Sequence, residues 1–266
     1  MGRIVDLIDK IKKYYGFNPS ELKGFIISIL VLSFIISFRE WGRGEQFSLI
    51  NGLFNWFNAA LIVTLAFIIF TTAQRIIGLS VGYQVEYKMW SWGLLVGLLF
   101  AFVSRGRIWV LLPGGIMIHH LAGHRLGFFR YEISYYVHGM IAMVGPIALL
   151  SLAILFKVMN SFIPSSLIKK AIFFCVILAI YDILPIPPMT GSRMFYGSRM
   201  VYAFVFSTVI VAGILLLVDI NIWMAVFGSI IIGIICWLLY YIFFEYKAWR
   251  GPYGKGWGPK SVKKKE

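Results

Sequence analysis

The chain has 266 residues, of which 60% are hydrophobic and 17% aromatic, with a mean hydropathy of +0.83; this exceeds the roughly half-apolar usage of soluble domains and excludes an ordinary water-soluble globule. The net charge of +14 does not indicate nucleic-acid binding, because the basic residues are not interleaved with a soluble fold that could present them to a duplex. Cys175 and Cys236 sit inside apolar stretches and give neither a disulfide framework nor a metal spacing.

The predicted elements run as follows. Ile4, Val5, Leu7, Ile8 and Ile11 recur at helical spacing against Asp6, Asp9, Lys10, Lys12 and Lys13, which predicts an interfacial amphipathic helix within residues 1–23. The N-terminus lacks a small-residue cleavage site, so no removable signal peptide is expected. A membrane helix needs about 20 apolar residues, with roughly 17 as a practical lower limit unless flanking side chains snorkel, and six candidates emerge: 24–38, 52–70 or a little beyond, 139–156, 168–184, 199–218 and 222–244. Two shorter apolar runs, 90–103 and 108–118, are interrupted by glycines and read as a re-entrant or β-hairpin region between the second and third spans. The expected fold is thus an all-α polytopic membrane protein of about six transmembrane helices. Its organisation is an N-terminal segment 1–23, a membrane-embedded domain 24–246 and a basic tail 247–266.

With six spans both termini share one side. Twenty of the 25 basic residues fall on that side, Arg105 and Arg107 among them, leaving Arg39, Arg43, Lys157, Lys169 and Lys170 opposite. The bias predicts an integral protein of the cell membrane with cytoplasmic termini. The basic tail is expected to attract anionic lipid.

The fourth stretch ends in Asp182-Ile183-Leu184-Pro185-Ile186-Pro187-Pro188-Met189-Thr190-Gly191. Proline removes a backbone donor, and lipid offers no water to satisfy the freed carbonyls, so such a break is tolerated only inside protein or beside a polar cavity. Asp182 and Thr190 are its polar positions. As an ionisable group at membrane depth, Asp182 is either a groove residue that accepts hydrogen bonds from a client, or a structural residue that pairs with Arg193 or satisfies polar groups at the proline break.

This run resembles the third-ligand motif N-x-x-P-x-P-P-L-D-G of the site-2 protease family of membrane-embedded zinc metallopeptidases. Pro185, Pro187, Pro188 and Gly191 fit unchanged, while Asp182 stands for Asn, Met189 for Leu and Thr190 for the zinc-ligating Asp. Residues 139–148 resemble the family's G-x-I-x-x-A-G-P-x-x-N helix entry, with Leu149 replacing Asn. Residues 82–95 and 113–118 resemble segments of archaeal members that follow the H-E-x-A-H helix. Together these segments carry the resemblance over roughly residues 52–200.

The resemblance places the two histidine positions at Phe70 and Gln74 and the general-base glutamate at Thr71. A phenyl ring has no lone pair for zinc, an amide is a poor ligand beside imidazole, and a threonine hydroxyl cannot take a proton from water near neutral pH. With Thr190 also changed, the implied catalytic set Phe70, Thr71, Gln74 and Thr190 is degenerate, and no metal cofactor is expected. What the resemblance leaves is a substrate groove around Asp182, Pro185, Pro187, Pro188 and Gly191.

An alternative metal set exists in His119, His120, His124 and His138. If residues 120–124 were helical, His120 and His124 would share a face and His119 or His138 could add a third nitrogen for zinc. No carboxylate occupies the base position there. An aspartyl mechanism needs two facing carboxylates, and Asp219 lies in a different turn from Asp182; a serine mechanism at Ser229 finds no histidine after His138. The expectation is therefore a pseudoprotease that binds or escorts transmembrane clients. The rivals are an active metallopeptidase using the histidine cluster and a structural subunit of a membrane complex.

Overall fold

The computed structural model describes residues 2–43, 46–121, 134–218 and 220–246; His124, Asp219 and the tail 247–266 lie outside them. The amphipathic N-terminal pattern forms helix α1 (Gly2–Tyr14), which ends well before residue 23. Ile4, Val5 and Ile8 on it are exposed. Helix α2 (Pro19–Ser37) opens with proline in its first turn, where a missing N–H is harmless. A short 3₁₀ turn (Phe38–Glu40) and two-residue strands β1 (Gly42–Arg43) and β2 (Gln46–Phe47) lead into α3 (Leu49–Val81).

At 33 residues, α3 far exceeds the 52–70 span read from hydropathy, because the polar residues Thr71, Gln74 and Arg75 that follow that stretch are buried rather than at a helix end. It stops where Gly82 takes φ 93 and turns its N–H back to the carbonyls of Gly78 and Leu79, a left-handed cap that a side chain would strain. The chain reverses into β3 (Tyr83–Met89), enters the short apolar helix α4 (Ser91–Val103), and returns as β4 (Gly114–His120). The two strands pair antiparallel in a register running from Tyr83 opposite His120 to Met89 opposite Gly114. Thereafter come α5 (Tyr135–Phe162), α6 (Ser166–Asp182), α7 (Thr190–Gly197), α8 (Arg199–Leu217) and α9 (Ile222–Tyr240), the last prolonged by a wide π-turn (Tyr241–Glu245).

Among the described residues five helical stretches are long and apolar enough to cross a membrane: Pro19–Glu40, Leu49–Val81, Tyr135–Phe162, Arg199–Leu217 and Ile222–Glu245. The chain is therefore an integral membrane protein, largely helical. The expected fourth span differs, because the proline run ends α6 at Asp182 and leaves 17 residues. The structure also moves two charges. Gly106, between Arg105 and Arg107, sits against Phe38 and Arg39 at the end of α2, and the Phe102 and Phe38 rings meet at 5.0 Å. Arg105 and Arg107 thus lie with the opposite group rather than on the side of the termini. Lys170 marks that same far end, donating to Glu40 at 2.6 Å.

The interior is apolar, with Leu32, Ile35, Phe67, Ile141, Leu149 and Phe174 fully buried. One ion pair enters it. The Arg75 guanidinium pairs with Glu21 and also donates to the carbonyls of Tyr15 at 2.7 Å and Gly16 at 3.2 Å, with the Phe17 ring 4.0 Å away. The same Glu21 oxygen accepts the Tyr87 N–H at 2.7 Å, and the Tyr15 hydroxyl meets Thr72 at 2.7 Å. These bonds tie the end of α1, the start of α2, helix α3 and strand β3 together. A buried pair adds little over apolar packing, yet losing one partner strands the other charge, at a cost of about 3–5 kcal/mol. Arg75→Ala is expected to lower the unfolding free energy in detergent by that order; Arg75→Ala and Glu21→Ala combined should cost much less than the sum of the single changes, both measured by denaturant melts.

Candidate functional site

The residues singled out from the sequence come from four elements. Phe70, Thr71 and Gln74 lie on α3, Asp182 ends α6, Thr190 and Gly191 open α7, and Pro185, Pro187 and Pro188 form the intervening loop. Asp182 is 2% exposed, and Gln74 and Thr190 are fully buried.

At Thr71, Gln74 and Thr190 each side chain donates to a backbone carbonyl. The Thr71 hydroxyl donates to the Phe67 carbonyl on its own helix at 2.7 Å. The Gln74 amide nitrogen donates across to the Ala142 carbonyl on α5 at 3.4 Å. That carbonyl is free for a physical reason: its helical partner would be the N–H of residue 146, which is proline. Gly145 permits the approach, since a methyl there would collide with both the Phe70 ring and the Gln74 amide. The Thr190 hydroxyl donates to the Asp182 carbonyl at 3.1 Å.

The proline loop follows the same logic of satisfying what the prolines free. The Ile183 carbonyl receives the Tyr202 hydroxyl at 3.2 Å, that of Leu184 receives the Ile186 N–H at 2.8 Å, and that of Ile186 receives the Met189 N–H at 2.7 Å. Gly191 is pressed against the Ile183 carbonyl, and Gly115 of β4 against the Pro188 carbonyl, with no room for a Cβ at either place. The hairpin and the loop are therefore seated on each other. Tyr87 braces the hairpin from inside, donating to the Pro113 carbonyl at 2.8 Å and meeting Ser28 of α2 at 2.8 Å. On the outer edge of β3 the Tyr87 N–H is taken by Glu21; among the described residues no strand pairs with the outer edge of β4.

At these positions Gln74 Oε1 and Asp182 Oδ2 are buried with no hydrogen-bond partner among the described residues. The anticipated pairing of Asp182 with Arg193 does not form: no ion pair of Asp182 occurs among the described residues. Arg193, which partial burial draws below its ordinary value, neighbours His138 instead.

The three histidines within the described residues divide. His119 and His120 are adjacent on β4, where alternation sends their side chains to opposite faces, and His119 is exposed. His120 and His138 flank the Tyr83 ring, at 5.0 and 6.2 Å between centroids. Among the described residues no group of three or more His, Cys, Asp or Glu side chains could hold a metal ion.

No family model matches the chain. No solved structure was found to match it either. A protein of Methanocaldococcus jannaschii bearing the name "Putative zinc metalloprotease MJ0611" is 24% identical over 196 residues, covering 72% of this chain and 91% of that one. Together with the apolar helices, this makes the chain a metalloprotease-like membrane protein. Zinc is accordingly the group to test against the residues present. They do not suit it: Phe70 offers no donor, and Thr71, Gln74 and Thr190 present hydroxyls and an amide already turned to backbone carbonyls.

Residues that sequence reasoning missed are Glu21, Tyr87, Ala142 and Gly115. Ala142 had a legible signal, lying four residues before Pro146. The others depend on contacts distant in sequence. Gly115→Ala is expected to force the hairpin from the proline loop and to destabilise the protein by about 1–3 kcal/mol, the usual range for overpacking a tight site; a thermal melt of the purified variant against wild type checks it.

Proposed function

We propose that the chain is a site-2-protease-like membrane protein that does not cleave peptide bonds and instead holds transmembrane clients. The observation that carries this reading is the use of the site's own polar groups as struts. The Gln74 amide joins α3 to α5 and the Thr190 hydroxyl joins α6 to α7, where a catalytic member would present metal ligands. Thr71 has no acid–base capacity near neutral pH. The groove is assigned to Asp182, Pro185, Pro187, Pro188 and Gly191 together with the unpaired outer edge of β4, which offers main-chain hydrogen bonds to an extended segment.

In this reading α6 is a sixth span, entering beside Glu40 through Lys170 and leaving at Asp182, while between the second and third spans α4 runs from the hairpin to the far end of α2 and the chain returns to β4. Residues 1–23 lie at the interface, 24–246 form the embedded domain, and the tail 247–266 meets anionic lipid. The excess of Lys and Arg on the side of the termini supports a cytoplasmic placement in the cell membrane.

Purified full-length protein, reconstituted with a model single-span client, is expected to leave that client intact with or without a chelator, and to contain far less than stoichiometric zinc by elemental analysis. A photoreactive group at Met117 on β4 should crosslink to the client. Chelator-sensitive cleavage would overturn the proposal, and stoichiometric zinc lost on His120→Ala would favour a metallopeptidase built on the histidine cluster. Failure to crosslink, with a stable co-purifying partner, would favour a structural subunit.

A further inference from the structure

At the surface end of the hairpin, apart from the groove, four side chains converge without a role in the reading above. Tyr83 and His120 face each other across the first pair of the β3–β4 register. His138, in the first turns of α5, meets the same tyrosine ring edge-on. The electrostatic neighbours of His138 are Arg193 and His120, and Gly139, beside His138, packs directly on the backbone of Arg193 and Met194.

The Nε2 atoms of both His120 and His138 are buried and have no hydrogen-bond partner among the described residues. Buried polar atoms are ordinarily satisfied, and each orphan calls for an explanation. Two imidazole nitrogens and a guanidinium can all donate, and no carboxylate or thiol among the described residues joins them in a metal-binding group. The charge of Arg193 opposes a cation and favours an anion. The start of α5 adds to this: its N-cap, Ser134, makes no side-chain capping bond, and a helix N-terminus with free N–H groups carries a partial positive charge. Tyr135 and Tyr136, in the same first turn of α5 as His138, and Tyr196, on α7 with Arg193, are exposed, and such aromatic residues sit at headgroup level in membrane proteins.

We infer that Tyr83, His120, His138 and Arg193 form a binding site for a phosphate group, carried by an anionic lipid headgroup at the membrane surface. A forked guanidinium and two imidazole N–H groups supply donors for the several oxygens of a tetrahedral phosphate, while the Tyr83 ring holds the two imidazoles apart. The site is separate from the groove and does not depend on whether the protein cleaves its clients.

The test uses full-length protein purified in mild detergent and examined by native mass spectrometry with phosphatidylcholine, phosphatidylglycerol or phosphatidic acid. Wild type should retain one phosphatidylglycerol or phosphatidic acid in preference to phosphatidylcholine, and His138→Gln and Arg193→Gln should each weaken that retention roughly tenfold, the loss expected for one charge-assisted hydrogen bond. Displacement by millimolar inorganic phosphate, with no preference between lipids, would keep the phosphate chemistry and overturn its assignment to a headgroup. Should the variants fail to fold, wild type alone decides: anionic lipid, but not phosphatidylcholine, should protect His120 and His138 from diethylpyrocarbonate. Unchanged retention in folded variants, absence of protection, or stoichiometric zinc on the two histidines would overturn the site.

Discussion

In hydrocarbon every backbone N–H and carbonyl must find a partner within the protein, and this chain places prolines at two depths where that demand is hard to meet. The structure's central region is organised around the response. Pro146 leaves the Ala142 carbonyl open, and the Gln74 amide closes it. The break at 185–188 leaves carbonyls that Thr190, Tyr202 and two turn N–H groups close. Helices α3, α5, α6, α7 and α8 thereby acquire their relative positions from bonds whose purpose is to hide main-chain polarity. Side chains that look like lost ligands in a catalytic frame are, physically, the plugs that let a broken helix exist away from water.

A second buried polar centre governs the other half of the molecule. Glu21 and Arg75 would each be unfavourable alone at their depth, and together they collect the carbonyls of Tyr15 and Gly16 and the N–H of Tyr87. The N-terminal helix is held to the bundle through backbone carbonyls at its end, leaving Ile4, Val5 and Ile8 outward. A helix docked by its last turn and apolar on its free face is disposed to lie along a bilayer surface.

Much of this was legible from residue order, and the exceptions have physical causes. Long apolar runs announce helices because length and composition suffice, whereas the short runs were less legible: 90–103 is largely helix α4, and strand β4 pairs with residues 83–89, outside either run. The extent of α3 was not legible: Gln74 and Arg75 look like an exit from the membrane, but their partners on α5 and α2 bury them, and the helix runs on to Val81. Arg105 and Arg107 were placed by charge bias, whereas aromatic packing of Phe102 on Phe38 carries their turn to the other end of α2. For the site, the spacing of Pro185, Pro187, Pro188 and Gly191 located the loop, since backbone demands are written locally. The destinations of the Thr190 and Gln74 side chains were not legible, because they depend on which carbonyls a distant segment leaves open.

The seat of Gly115 on the Pro188 carbonyl also has a mechanical side. Packed interiors are nearly incompressible, so with no side chain to deform between them, strand β4 and the proline loop transmit displacement as one body. A lateral pull on the hairpin would reach Thr190 through that contact and then α7, whose Gly197 lies against Gly139 of α5. Load on a single edge strand is in this way shared by three helices, and the stiffness of the contact, more than any hinge within it, sets how far that edge can move.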